Sequence, residues 1–148
     1  MSLNDAVNVM REVQLFRNVD DKRLRLFAFM GETLNYRDKE RLFEKGDEGD
    51  AAYIVLDGEV DVLVPTDGGE ISVAVLGKKE IFGEMAVLCD QPRTTAIAAK
   101  GPLQVLRLER KVILDMLREF PDISLEFIKV LAGRLETTSR ELAAARQG

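Results

Sequence analysis

Apolar positions along the chain change their period twice. Over residues 3–30 they recur three and four apart. Leu24, Phe27 and Met30 share one face, Asp20 supplies an N-cap, and Gly31 a stop, which predicts N-terminal helices. From Thr33 to Glu109 the period becomes two, and turn residues recur about every eight to twelve positions, the pattern of an antiparallel sandwich or barrel. Val60, Val62 and Val64 alternate with Glu59, Asp61 and Leu63, and Ile71, Val73 and Val75 alternate with Ser72 and Ala74, so each strand is expected to bury one face. Asp57-Gly58 reads as a two-residue hairpin turn, Asp67-Gly68-Gly69 as another, and residues 94–99 as a strand.

Beyond Glu109 the helical period returns. Lys111–Phe120 stops before Pro121, and Asp122 is placed to cap a second helix running toward Ala145. Ile128, Leu131, Leu135, Thr138 and Leu142 form a narrow stripe on it, suited to seat on the barrel or to pair with its twin. Gly133 inside this helix costs about 1 kcal/mol relative to alanine and reads as a packing position rather than a ligand contact. The alanine-rich tail from Thr137 to Gly148 reads as a fraying end.

Composition narrows the function. The 148 residues, 46% of them hydrophobic, suffice for one domain (1–148) with a core. A net charge of −5 offers no basic field to hold a polyanion, which argues against direct nucleic-acid binding. No apolar run is long enough for a bilayer, and no secretory signal opens the chain, so a soluble, cytoplasmic protein without a membrane partner is expected. Histidine is absent and Cys89 is the single cysteine, which excludes His-dependent triads, His-ligated zinc, an intrachain disulfide and thiolate metal clusters. The chain therefore reads as a non-enzyme with no catalytic residue and no metal. Cys89 reads as a small, partly buried apolar residue. The acidic turn at residues 43–50, with Gly46 and Gly49, lacks the ligand spacing of a calcium loop and reads as a surface turn.

One stretch carries chemistry. Phe82-Gly83-Glu84-Met85-Ala86-Val87-Leu88 is followed, after Cys-Asp-Gln, by Pro92-Arg93-Thr94-Thr95-Ala96. Gly83 permits a tight turn, the next residues can present free N–H groups at a helix start, and Arg93 offers a planar fork of donors suited to phosphate. Glu84 repels phosphate but accepts from a sugar hydroxyl. Phosphate plus ribose implies a nucleotide. Taken alone, a Glu and an Arg nine residues apart read as a surface ion pair, and Thr94 and Thr95 as ordinary strand formers.

The run resembles the phosphate-binding cassette of the cyclic nucleotide-binding domain family: Phe-Gly-Glu-apolar-small-apolar, a short loop, then Pro-Arg-small-small. The likeness extends over roughly residues 10–145. It implies an α+β, mainly β fold: an antiparallel β-roll or jelly-roll barrel at 33–109 with its cassette at 82–96, flanked by N-terminal helices (3–30) and C-terminal helices (110–145). By this resemblance Arg93 binds the cyclic phosphate with backbone N–H groups of Gly83, Glu84, Met85 or Ala86. Phe82 opens the cassette, Glu84 accepts from the ribose 2′-hydroxyl, and Thr94 and Thr95 offer hydroxyls to phosphate or base. Val73 and Val75 are expected at the base end, with lid contacts from Leu131, Arg134, Leu135 and Thr138. Many members have Arg-small-Ala-Thr or Arg-small-Ala-Ser where this chain has Arg93-Thr94-Thr95-Ala96, so a hydroxyl sits one place early. Family frequency favours cAMP, and cGMP stays open.

Three function classes follow from the resemblance. The first is a cyclic nucleotide sensor that moves its C-terminal helices, with a homodimer contact through the last helix and an effector protein or domain as partners. The second is a regulatory fragment of a larger transcription regulator, kinase or channel. The third is a β-roll serving as a ligand-independent scaffold, against which Glu84 and Arg93 argue. A cupin-type enzyme is a distant fourth, lacking metal ligands.

Overall fold

The computed structural model describes residues 2–147. Helix α1 (Leu3–Arg11) starts with a reciprocal cap: the Ser2 hydroxyl accepts from the Asp5 N–H, and the Asp5 carboxylate from the Ser2 N–H. A 3-10 turn (Gln14–Phe16) leads to α2 (Asp21–Met30), which Asp20 caps as expected. Leu24 and Phe27 are buried, whereas Met30 is exposed. Gly31 ends α2 in an extended conformation because of packing, since a Cβ there would lie 2.7 Å from Leu106 Cδ1.

Strands β1 (Glu32–Tyr36), β2 (Arg41–Phe43), β3 (Ala51–Thr66), β4 (Gly69–Leu76), β5 (Ile81–Phe82) and β6 (Ala96–Glu109) form one antiparallel sheet. Its order is β1-β6-β3-β4, with β2 added to β6 and β5 to β3. The expected β-roll forms, as a sheet that is not closed into a barrel: β1 and β4 are the two ends of that order. The Asp57-Gly58 hairpin is also corrected. Residues on both sides of Gly58 pair with the same strand, β6, so the chain keeps its direction and Gly58 sits at an irregularity within β3. Its φ is +91°, and a Cβ would lie 2.4 Å from the Pro102 carbonyl oxygen. The turn after Thr66 does join β3 to β4.

β4 departs from the expected one-sided burial, for every residue from Gly69 to Val75 is exposed, Ile71, Val73 and Val75 among them. It is the last strand of the sheet order.

β3 carries two cores. Ala52, Ile54 and Leu56 pack with Leu106 and Leu108 against the helices, while Tyr53 and Val55 face Val105, Ile97 and Phe82 inside the roll. Successive strand residues point to opposite faces, so six consecutive residues, Ala51 to Leu56, are buried.

Helix α3 (Glu84–Cys89) interrupts the sheet between β5 and β6. Helix α4 (Arg110–Glu119) follows β6, and α5 (Pro121–Gln147) begins with Pro121 at its first position, so Asp122 lies in its first turn rather than at its cap. Ile123 and Phe127 anchor α5 in the helical core. Arg23 of α2 grips this junction, donating to both Asp122 carboxylate oxygens at 3.0 and 2.8 Å with its guanidinium 5.0 Å from the Phe120 ring centre. Its hydrogen bond holds the Asp122 carboxyl below the usual range. That contribution is present above ordinary carboxylate pH and lost as pH falls through the depressed value. Past Val130, which still packs against the helical core, the helix continues unbroken through Gly133 and the tail; Ile128, Leu135 and Leu142 are exposed along it. Among the described residues, no helix is long and apolar enough to cross a membrane.

Gly58→Ala is expected to cost about 1–3 kcal/mol, because it combines positive φ with a backbone clash. Urea unfolding at unchanged m-value measures it.

Candidate ligand site

The site is built where α3 leaves the sheet. Gly83 turns the chain out of β5 with φ +81°, and a Cβ there would meet Arg93 Nη1 at 2.6 Å, so this place needs glycine twice over. Across from it lies the acidic turn before β3. Gly49 packs flush on α3, where a Cβ would stand 2.6 Å from the Ala86 Cβ. The Arg93 backbone pairs with the turn through both groups: its N–H donates to the Asp47 carbonyl at 2.8 Å, and its carbonyl accepts from Gly46 N–H at 2.8 Å. The turn therefore backs the site by holding the Arg93 main chain, and is not only a surface feature.

Arg93 is 3% exposed. Nη1 donates to the Gly83 carbonyl at 2.9 Å; Nη2 donates to the Ala51 carbonyl at 2.6 Å and to Asp50 Oδ1 at 3.4 Å. The guanidinium lies 4.1 Å from the ring centre of Phe43. Burial pushes its pKa below the ordinary arginine value, with Asp50 opposing. Nε is buried with no partner among the described residues. An orphan N–H of this kind costs about 1–3 kcal/mol, more when charged, until an acceptor reaches it.

Glu84, 7% exposed, turns elsewhere, accepting from Arg134 Nη1 of α5 at 3.1 Å. Glu84 and Arg93 thus share a cavity, but each is partnered to a different part of the fold. Their reading as a simple surface ion pair fails, because both are buried.

The cavity is about 460 Å³ and is lined by Phe82, Gly83, Glu84, Met85, Ala86, Arg93, Thr94 and Thr95 together. Its apolar wall is Val62, Leu76, Ile81 and Ile97. Val73 and Val75, expected at the base end, are exposed on β4 and do not line the cavity. Leu76 turns inward opposite Val60, Val75 turns outward opposite Asp61, and Val73 sits at the irregularity in the β3–β4 register. Of the expected lid residues, Arg134 reaches the site through Glu84, whereas Leu131, Leu135 and Thr138 do not line the cavity. Leu135 and Thr138 are exposed. Cys89, expected partly buried, is exposed and lines the cavity.

Sequence reading missed Phe43, Asp50, the Ala51 carbonyl and Gln91. Only the two glycines of the acidic turn signalled that another backbone approaches there.

Residues 33–120 match the cyclic nucleotide-binding domain family. The chain belongs to that family. It is 24% identical to the CRP-like cAMP-activated global transcriptional regulator of Mycobacterium tuberculosis over 91% of its own length and 61% of that protein's. It is 31% identical to the cAMP-dependent protein kinase regulatory subunit of Blastocladiella emersonii over 77% of its length and 28% of that protein's. The structure superposes on the catabolite activator protein of Thermus thermophilus with a TM-score of 0.79, at 30% identity, covering 88% of this chain and 62% of that one. The chain thus spans about three fifths of the bacterial regulator and under a third of the kinase subunit. These relatives are regulators by name.

Arg93→Lys retains the charge but cannot satisfy the Gly83 and Ala51 carbonyls together, and is expected to cost about 2–3 kcal/mol in denaturant unfolding.

Proposed function

We propose that this domain is a regulatory module that binds cAMP and passes the event to its C-terminal helices, with no bond made or broken. The observation that carries the reading is a buried arginine with an orphan N–H beside a buried carboxylate, in one cavity of about 460 Å³. A phosphate supplies the acceptor that Nε lacks, and the carboxylate accepts from a ribose hydroxyl. The cavity has room for a mononucleotide, and the apolar wall of Val62, Leu76 and Ile97 suits the base. Phosphate is assigned to Arg93 with the N–H groups at the start of α3, and the 2′-hydroxyl to Glu84. The names of the two curated relatives favour cAMP over cGMP.

Coupling runs through Glu84. Its bond from Arg134 joins α3 to α5 across 50 positions of sequence. A ligand that engages Glu84 alters what Arg134 holds, so states that differ in the placing of α5 differ in affinity, and the ligand shifts their balance. The exposed stripe of Ile128, Leu135 and Leu142, one heptad apart, supports a homodimer through α5 as part of that output. The effector is a protein or a further domain that reads this movement.

Thermal unfolding of nucleotide-free protein tests the proposal. cAMP at about 100 times its Kd is expected to add about 2.7 kcal/mol of stability, with a smaller effect of cGMP and none of 5′-AMP. Arg93→Gln is expected to lose the cAMP effect. A cGMP preference would revise the base assignment alone, and no response to either cyclic nucleotide would leave the scaffold reading.

A further inference from the structure

The arginine that faces the cavity is held from behind by a second arginine that does not line it. Asp50 stands between them. Its Oδ1 accepts from Arg93 Nη2 at 3.4 Å and its Oδ2 from Arg107 Nη2 at 3.1 Å, so one carboxylate bridges two guanidinium groups. The Asp50 backbone carbonyl also accepts from Arg110 N–H, the first residue of α4, at 2.9 Å. The next carbonyl along, that of Ala51, receives the short bond from Arg93.

The two legs of the bridge are unequal. The Asp50 side chain is 58% exposed, and its leg to Arg93 is the longer, so Asp50 alone would be drawn toward water. Arg107 is 19% exposed and set in the middle of the sheet, with Glu32 of β1 on one side and Tyr53 of β3 on the other. Its Nη1 lies 3.4 Å from Glu109 and 3.8 Å from Glu32. These two carboxylates hold Arg107 from its other side, and Arg107 in turn holds Asp50. This matters because Arg93 keeps its charge in a buried place, where each partner counts and a wandering carboxylate would leave it two carbonyls and a ring face.

We infer that Arg107 is a positioning residue for the phosphate-binding arginine, acting through Asp50. It touches no part of the cavity, and its effect on ligand affinity is carried by the orientation of Asp50. Through the Asp50 carbonyl the same node meets the first turn of α4, so the support of Arg93 and the start of the C-terminal helices share one anchor.

The inference rests on the cyclic nucleotide reading, and the test separates the two. Calorimetric titration of cAMP is performed on wild type, Arg107→Gln, Asp50→Asn and the double variant. Arg107→Gln is expected to weaken binding about threefold to tenfold, the range of one partly buried charge-assisted contact. The same change should have little further effect in the Asp50→Asn background. Arg107→Lys, which keeps a cation beside Asp50, should retain most of the affinity. If Arg107→Gln folds poorly, Glu32→Gln combined with Glu109→Gln loosens Arg107 from its outer side and should weaken binding in the same direction. Full loss in both backgrounds, or no loss in either, would overturn the inference. If wild type binds no cyclic nucleotide, the functional reading fails first, and hydrogen exchange of the Arg93 Nε–H in the free protein then decides. Faster exchange in Arg107→Gln upholds positioning, and an unchanged rate refutes it.

Discussion

The structure depends on keeping one guanidinium charged and buried. Arg93 lies out of water, its pKa pulled down by burial, and the surrounding chain compensates with two main-chain carbonyls, one carboxylate and the face of Phe43. Each compensation constrains sequence elsewhere. Gly83 must lack a side chain so that Nη1 can approach its carbonyl, and Gly49 must lack one so that the acidic turn can lie against Ala86. The turn in turn holds the Arg93 backbone with two hydrogen bonds. These contacts leave Nε without a partner among the described residues, a cost carried by the free protein.

The rest of the fold gives that site an outlet. β3 and β6 are long, and β3 is buried on both faces from Ala51 to Leu56, so this part forms the base against which the cassette is built. The two ends of the short helix α3 are joined to the C-terminal helices by ion pairs: Glu84 with Arg134 of α5, and Asp90 with Arg110 of α4. Arg23 pins the junction between those helices to α2. The free part of α5 is largely exposed, so its ion pair with Glu84 is one of the contacts that hold it to the domain.

Legibility in the sequence followed the range of the interactions. The cassette was readable because its requirements are local: a positive-φ glycine, a small Ala86 and an arginine a short loop away all lie within residues 82–96. Helix caps at Asp20 and the turn after Thr66 were readable for the same reason. Asp57-Gly58 misled because its turn chemistry is identical whether the chain reverses or bulges, and only pairing of both flanks with β6 distinguishes them. The exposure of Val73 and Val75 was hidden because alternation shows that a strand has two faces but not which face lacks a neighbour. Phe43 and Asp50 lie 50 and 43 residues before Arg93, and no local pattern joins them to it. The open edge of the sheet was hidden too, since strand spacing is the same in open and closed rolls.

The central claim is that a cyclic phosphate completes the coordination of Arg93. Its most direct test follows the Nε–H resonance of Arg93 in ¹⁵N-labelled protein during titration with cAMP. The account predicts a slowly exchanging Nε–H in the free protein that moves downfield on saturation, as the orphan donor gains a charged acceptor. Saturable binding of cAMP with that resonance unmoved would contradict it.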